Sequence, residues 1–155
     1  MRRLLAFAAA LTFGVAAVPA WAAEPILGTW RLDRQEINGQ TTNFEPLTLK
    51  VSEAGDKLVF AFSVPVNDVY FVAMTYTLKL DGLEADVKNA QGEKVGTVQM
   101  TPGGPSQYKL LLKAAHRPDS AGKLTVSPDG KSLISEADSL RAGESTRSKQ
   151  FFSRY

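Results

Sequence analysis

The chain predicts an all-β fold, an antiparallel up-and-down meander of about ten short strands that closes into a barrel. Three observations lead there. Apolar and polar residues alternate with a period of two over most of the chain, as strands with one wet and one dry face require. Turn signals interrupt this alternation at short intervals, including Asn38-Gly39, Asp81-Gly82 and Pro128-Asp129-Gly130. The spacing of those signals joins neighbouring strands by hairpins, whereas a sandwich of the Greek-key kind needs longer crossings between sheets. The β-sandwich is the alternative architecture, and the choice matters because a sandwich fills its interior while a barrel can enclose space.

The first residues have a different character. Met1-Arg2-Arg3 is a positive start, Leu4 to Val18 an apolar stretch, and Ala20-Trp21-Ala22 a small-x-small cleavage pattern. We expect residues 1–22 to be a cleavable secretory signal and 23–155 to be a single domain. The apolar run falls short of the roughly 20 residues that span a bilayer, so no stable membrane anchor is expected after cleavage. A chain without cysteine cannot carry a lipoprotein signal or a disulfide. The expected location is periplasmic or secreted. Cleavage also removes Arg2 and Arg3, leaving 16 basic residues against 16 acidic ones, and with no basic cluster no nucleic-acid partner is expected.

Along the domain, Asn38-Gly39 and Asp81-Gly82 predict two-residue hairpin turns, because both dipeptides tolerate positive φ. Pro128-Asp129-Gly130 predicts a three-residue hairpin loop. Further breaks are expected at Ala54-Gly55-Asp56, Asn67-Asp68, Asn89 to Gly92, Pro102 to Pro105, His116 to Gly122 and Arg141 to Gly143. Between them Leu47, Leu49 and Val51 alternate with Thr48 and Lys50. Leu58, Phe60, Phe62 and Val64 share one face of the next strand, and Tyr70, Val72, Met74, Tyr76, Leu78 and Leu80 form a stripe on the one after. Tyr108, Leu110, Leu112 and Ala114 repeat the pattern. Ser132 to Leu140 also fits a helical spacing, but it follows a hairpin turn directly and is read as a strand. Pro46 and Pro65 are placed at strand ends, where a missing donor does least harm.

Ile26-Leu27-Gly28-Thr29-Trp30-Arg31-Leu32 resembles the opening of lipocalins and fatty-acid-binding proteins, the calycin group, whose first barrel strand begins with a Gly-x-Trp element. Leu124 to Leu133, with its Asp129-Gly130 turn, looks like the penultimate hairpin of small exported bacterial lipocalin-like proteins. The resemblance implies a calycin-like barrel in which Gly28 and Trp30 close the base and a late arginine packs across the indole. Arg154 fits that part, with Arg147 as the other candidate. The chain departs from the pattern in three places. Asn38-Gly39 implies a plain hairpin where fatty-acid-binding proteins carry a helical lid, adjacent Arg154-Tyr155 does not reproduce their Arg-x-Tyr ending, and no helix precedes the last strand.

Catalytic and metal signatures are missing from the sequence. His116 is the only histidine and lies in a predicted loop, so no multi-ligand zinc site can be assembled, and no EF-hand loop is present. No Gly-x-Ser-x-Gly elbow or cysteine nucleophile occurs. Gly130-Lys131-Ser132 ends like a P-loop but lacks its first glycine, where Thr125 stands. Glu84 and Asp86 are read as one solvated strand face. The expectation is therefore a non-enzyme without metal or cofactor. If the inward stripes carry Phe60, Phe62, Tyr76 and Tyr108, the lumen is apolar with phenols that can orient a polar group. That suits a small hydrophobic ligand such as a lipid or quinone. The same residues would also fill a solid core, as in an envelope interaction or inhibitor module with a protein partner. A barrel enzyme of the isomerase or cyclase kind is the third reading.

Overall fold

A computed structural model describes residues 24–115, 117–140, 143 and 145–155. The expected signal, residues 1–22, and His116 lie outside the described residues. The rest forms one antiparallel sheet of β1 (Gly28–Ile37), β2 (Gln40–Thr42), β3 (Thr48–Ala54), β4 (Lys57–Val66), β5 (Val69–Leu78), β6 (Ala85–Asn89), β7 (Lys94–Gly104), β8 (Gln107–Ala114), β9 (Arg117–Val126), β10 (Ser132–Ser139) and β11 (Arg147–Arg154). Consecutive strands pair with each other except β2 and β3, which both pair with β1, and β11 returns to pair with β1 from Trp30↔Arg154 to Ile37↔Ser148, which closes the cylinder. The short β2 covers Gln35–Ile37 and β3 covers Gly28–Arg31 on the same edge of β1. These two share one stave, so the barrel has ten positions. Among the described residues closure leaves no long free edge, which matters for an all-β chain without disulfides.

Local chemistry explains most of the turns. Asn38 and Gly39 both have positive φ, as a type I′ hairpin demands, and Asn67 with Asp68 builds the same turn between β4 and β5. Ser132 to Ser139 is a strand, as its position after the Pro128-Asp129-Gly130 turn predicts. In that turn the Asp129 carboxylate accepts the Lys131 amide at 3.0 Å and the Ser127 hydroxyl at 2.6 Å.

Several expectations need correction. Asp81-Gly82 does not make a two-residue hairpin: it lies inside the 79–84 connection. There the Asp81 carboxylate accepts the Leu83 amide at 3.0 Å, and Gly82 donates to the Met100 carbonyl at 3.0 Å. The aspartate side chain and a bond to β7 thus stabilise a wider loop. Arg117 to Gly122 is strand rather than break, because the β8–β9 ladder continues through Leu110↔Gly122 and Leu112↔Ser120. Pro102 lies within β7, next to a bulge between Pro102 and Gly104 that accommodates the lost donor. Glu84 precedes β6, so it and Asp86 do not form one strand face; they pair with Lys113 and Lys94, each at 2.6 Å. Finally, the stripe from Tyr70 to Leu80 is broken by a bulge. Phe62 opposes Met74 but Ser63 opposes Val72, so Ala73 is the extra residue and Tyr70 and Val72 turn to the opposite face from Tyr76.

The core occupies one end of the cylinder. Trp30, Phe60, Val51, Met100, Val126 and Leu133 are all buried there and fill the interior from wall to wall. The segment 24–27 crosses beneath them. Ile26 is fully buried, its carbonyl accepts the Trp30 indole N–H at 2.8 Å, and the Tyr108 hydroxyl donates to the Glu24 carboxylate at 2.7 Å. Arg154 lies over the indole at 4.2 Å from the ring centroid and donates to the carbonyls of Gly130 (2.6 Å), Leu27 (2.6 Å) and Pro25 (3.1 Å). Arg147, the other candidate, sits at the far end of β11 and pairs with Asp138 at 2.7 Å.

Candidate ligand-binding cavity

Above this packed layer the barrel is open. A cavity of about 320 Å³ is lined by residues of β3, β4, β5, β7, β8, β9, β10 and β11, so it is the lumen itself. Leu49, Leu124 and Phe152 form its lower wall. A second space of about 360 Å³ shares Met74, Leu112 and Arg117 with it and extends toward Val87, Val95 and Ala114 on β6 to β8. It lies where β5 and β6 pair over only three residues, Met74 to Tyr76. Together these volumes are in the range of small-molecule sites.

The four sequence-predicted lining residues divide by depth. Phe62 and Tyr76 face the cavity. Phe60 stacks beneath Tyr76, with ring centroids 4.7 Å apart, and belongs to the packed layer. Tyr108 is deeper, with its hydroxyl spent on Glu24. Burial first, then that carboxylate, pushes the Tyr108 phenol above its ordinary range. Tyr76 is also raised, and by burial alone, with no hydrogen-bonding group contributing among the described residues. It is over nine-tenths buried and its hydroxyl is the one phenol on the cavity wall. Gly28, Trp30 and Arg154 come together at the closed end.

The sequence reading missed the polar side of the lumen. Gln150 on β11, Ser148 beside it, Ser135 on β10 and Ser120 on β9 all line the cavity. Gln35 of β1 opposes Gln150, which donates to it across the strand pair at 3.2 Å. The signal was available: Gln35 and Gln150 hold inward positions of β1 and β11. Seeing it required knowing that the β1 bulge between Leu32 and Arg34 shifts Gln35, not Arg34, onto the face of Leu32. Among the described residues that line the lumen, Arg117 at the open end is the one with a charge. Lys123, Glu136 and Lys149 of the same strands point outward, where Glu136 bridges Lys123 at 3.0 Å and Lys149 at 3.3 Å. Those two lysines hold the Glu136 carboxyl below its usual range, Lys123 having the larger part.

At the same end the β4–β5 hairpin projects beyond its neighbours. Pairing with β3 stops at Ser63, and pairing with β6 begins at Met74, so among the described residues the tip is held only by its own ladder. Val66, Val69, Tyr70, Phe71 and Val72 are each 46–56% exposed. Val64 and Phe71 continue the inward face above Phe62 and Met74.

No protein-family model matches the chain, and no curated protein sequence matches it. Solved structures do. The zebrafish ileal bile acid-binding protein, complexed with cholic acid, is similar over 84% of this chain and 99% of its own, at 16% identity and TM-score 0.57. The REP1-NXSQ fatty acid transporter is similar over 86% and 98%, at 15% identity and TM-score 0.58. An S-type phycobiliprotein lyase, CPES from Guillardia theta, is similar over 85% and 89%, at 9% identity and TM-score 0.53. Identities this low speak to the fold alone. The chain folds as a closed, calycin-like antiparallel barrel.

Proposed function

We propose that the protein is an exported carrier that holds a small hydrophobic ligand in the upper half of its barrel. The observation that carries the reading is the lumenal cavity of about 320 Å³, walled by Phe62, Met74, Leu110 and Leu112 above a solid floor. An apolar space with a few polar groups is the usual form of a small-molecule site. Two of the similar barrels are described as binding bile acid or transporting fatty acid, which agrees with it. Export rests on the amino-terminal sequence pattern, and the place of action would be the periplasm or the exterior. The reading is of a binder rather than an enzyme: Tyr76 and Arg117 are the titratable residues that line the lumen among the described ones.

The test is to fill the space. Ala137 lines the cavity, and Ala137→Phe places a ring in it. The purified protein should bind a naphthyl dye that brightens in apolar surroundings, and fatty acids or steroids should displace it. The variant should lose the dye while keeping its β-sheet circular dichroism. Dye binding that survives Ala137→Phe unchanged would remove the lumen from the account.

A second reading, docking to an envelope protein, is favoured by the half-exposed apolar tip of the β4–β5 hairpin. Tyr70→Ser with Val72→Ser, which alter the outward face, separate the two: loss of a partner with dye binding intact assigns the hairpin to docking.

A further inference from the structure

We infer that the ligand carries several uncharged hydrogen-bonding groups along one edge of an apolar body, and is not an acyl chain with a single terminal head group. This rests on the carrier reading and names the chemistry of its site. The two sides of the lumen differ. One is hydrocarbon and aromatic, from Phe62, Met74, Leu110 and Leu112; the other is a seam of neutral polar side chains, Gln150, Ser148, Ser135 and Ser120 on β9 to β11, which Gln35 of β1 extends through its bond to Gln150.

Register makes the seam continuous. Gln35 opposes Gln150, Gln150 opposes Ser135, and Ser135 opposes Leu124, with Ser148 one inward position above Gln150 and Ser120 two above Leu124. The seam therefore runs obliquely up the wall. Its internal bonding is sparse. Gln150 gives one N–H to Gln35 at 3.2 Å, and the Ser148 hydroxyl reaches the Ala137 carbonyl at a long 3.4 Å. Each amide has two donors and an acceptor, so the Gln150 carbonyl and the Gln35 NH₂ remain for another partner. Across the lumen Tyr76 is a residue over nine-tenths buried whose hydroxyl has no bond among the described residues.

A plain acyl chain laid in this space would strip water from the seam and return nothing. Stranded polar groups are the strongest basis for rejecting a ligand that lacks matching ones. A ligand with hydroxyls or carbonyls spaced along one edge satisfies the seam and turns its other side to Phe62 and Leu112. The interior side chains offer no charge, so any ionised group belongs at the open end near Arg117.

A matched pair of probes decides the matter: cholate, and 5β-cholanate, which has the same skeleton and carboxylate without the three hydroxyls. Stearate is the acyl-chain probe, and affinities are read by displacement of the naphthyl dye and by calorimetry. Hydrophobicity alone ranks cholanate and stearate above cholate. The seam reverses this, and we expect cholate to bind about tenfold or more tighter than cholanate. In Ser135→Ala/Gln150→Leu the advantage of cholate should vanish while stearate gains. If that pair does not fold, the ranking by the unaltered protein and by Ser135→Ala alone still decides. Cholanate or stearate binding as tightly as cholate to the unaltered protein overturns the inference and leaves the carrier reading standing. Failure of the dye and of all three probes to bind overturns both.

Discussion

Arg154→Ala should loosen the closed end of the barrel without touching the cavity. In the structure the guanidinium lies 4.2 Å from the Trp30 ring centroid and donates to three carbonyls, at 2.6, 2.6 and 3.1 Å, which tie the segment 24–27 to the turn between β9 and β10. A cation over an aromatic ring contributes about 0.5–1 kcal/mol where it stays in contact with water. Hydrogen bonds from a charged donor contribute about 1.5–3 kcal/mol each, less where the group is exposed as Arg154 is. These terms overlap, since one side chain makes them all, and we take roughly 2–4 kcal/mol for the whole. For a domain of this size that corresponds to a fall in Tm of roughly 10 °C. Trp30 is the single tryptophan among the described residues, so urea unfolding followed by its fluorescence reports the site directly. Arg154→Lys keeps the charge but not the fork of donors and should recover less than half of the loss. Arg147→Ala, at the opposite end and solvent-exposed, should change little. An Arg154→Ala protein that unfolds within about 0.5 kcal/mol of the parent would mean that the guanidinium does not brace the base, because that is the range of an ordinary surface substitution.

Two further outcomes follow from the packing. A Cβ at Gly122 would run into the Glu136 carbonyl oxygen and sit 3.0 Å from the Ala137 Cα, so Gly122→Ala should cost about 1–3 kcal/mol by urea unfolding; a neutral result would mean that β9 and β10 are less tightly apposed. Tyr76 and Tyr108 are held neutral by burial, with Glu24 adding to the effect at Tyr108. Raised phenols stabilise the fold fully below about pH 10, where both states keep their protons. Above it the unfolded chain ionises first and stability falls. Ultraviolet titration should show two of the four tyrosines ionising only at or beyond the loss of fold.

How far the sequence foretold the molecule depends on which interactions are local. Asn38-Gly39 and Asp129-Gly130 act within four residues, and the turns they imply are present. The alternation around Leu49, Phe60 and Leu110 was legible for the same reason. Bulges were not, since the extra residue Ala73 has no signature of its own and is fixed by what Phe62 and Ser63 meet across the sheet. That one residue moves Tyr70 and Val72 off the inward face. Asp81-Gly82 misled because the local preference yields to a hydrogen bond from Gly82 to Met100, eighteen positions on by their numbers. For the site, residue type identified Phe62 and Tyr76 as inward but could not give depth, so Phe60 and Tyr108 in the packed layer looked equivalent to them. The question of a filled or an open barrel had no local answer either. It is decided by the segment 24–27 and Arg154 plugging one end only.

On the carrier reading the upper lumen, and not the lower core, receives the ligand. Two methionines report the two levels: Met74 lines the cavity, whereas Met100 is buried one layer beneath. With their methyl groups labelled with carbon-13, titration with a ligand that displaces the dye should shift the Met74 resonance and leave that of Met100 nearly still. A Met74 signal that stays fixed at saturating ligand, or a larger shift at Met100, would contradict the account.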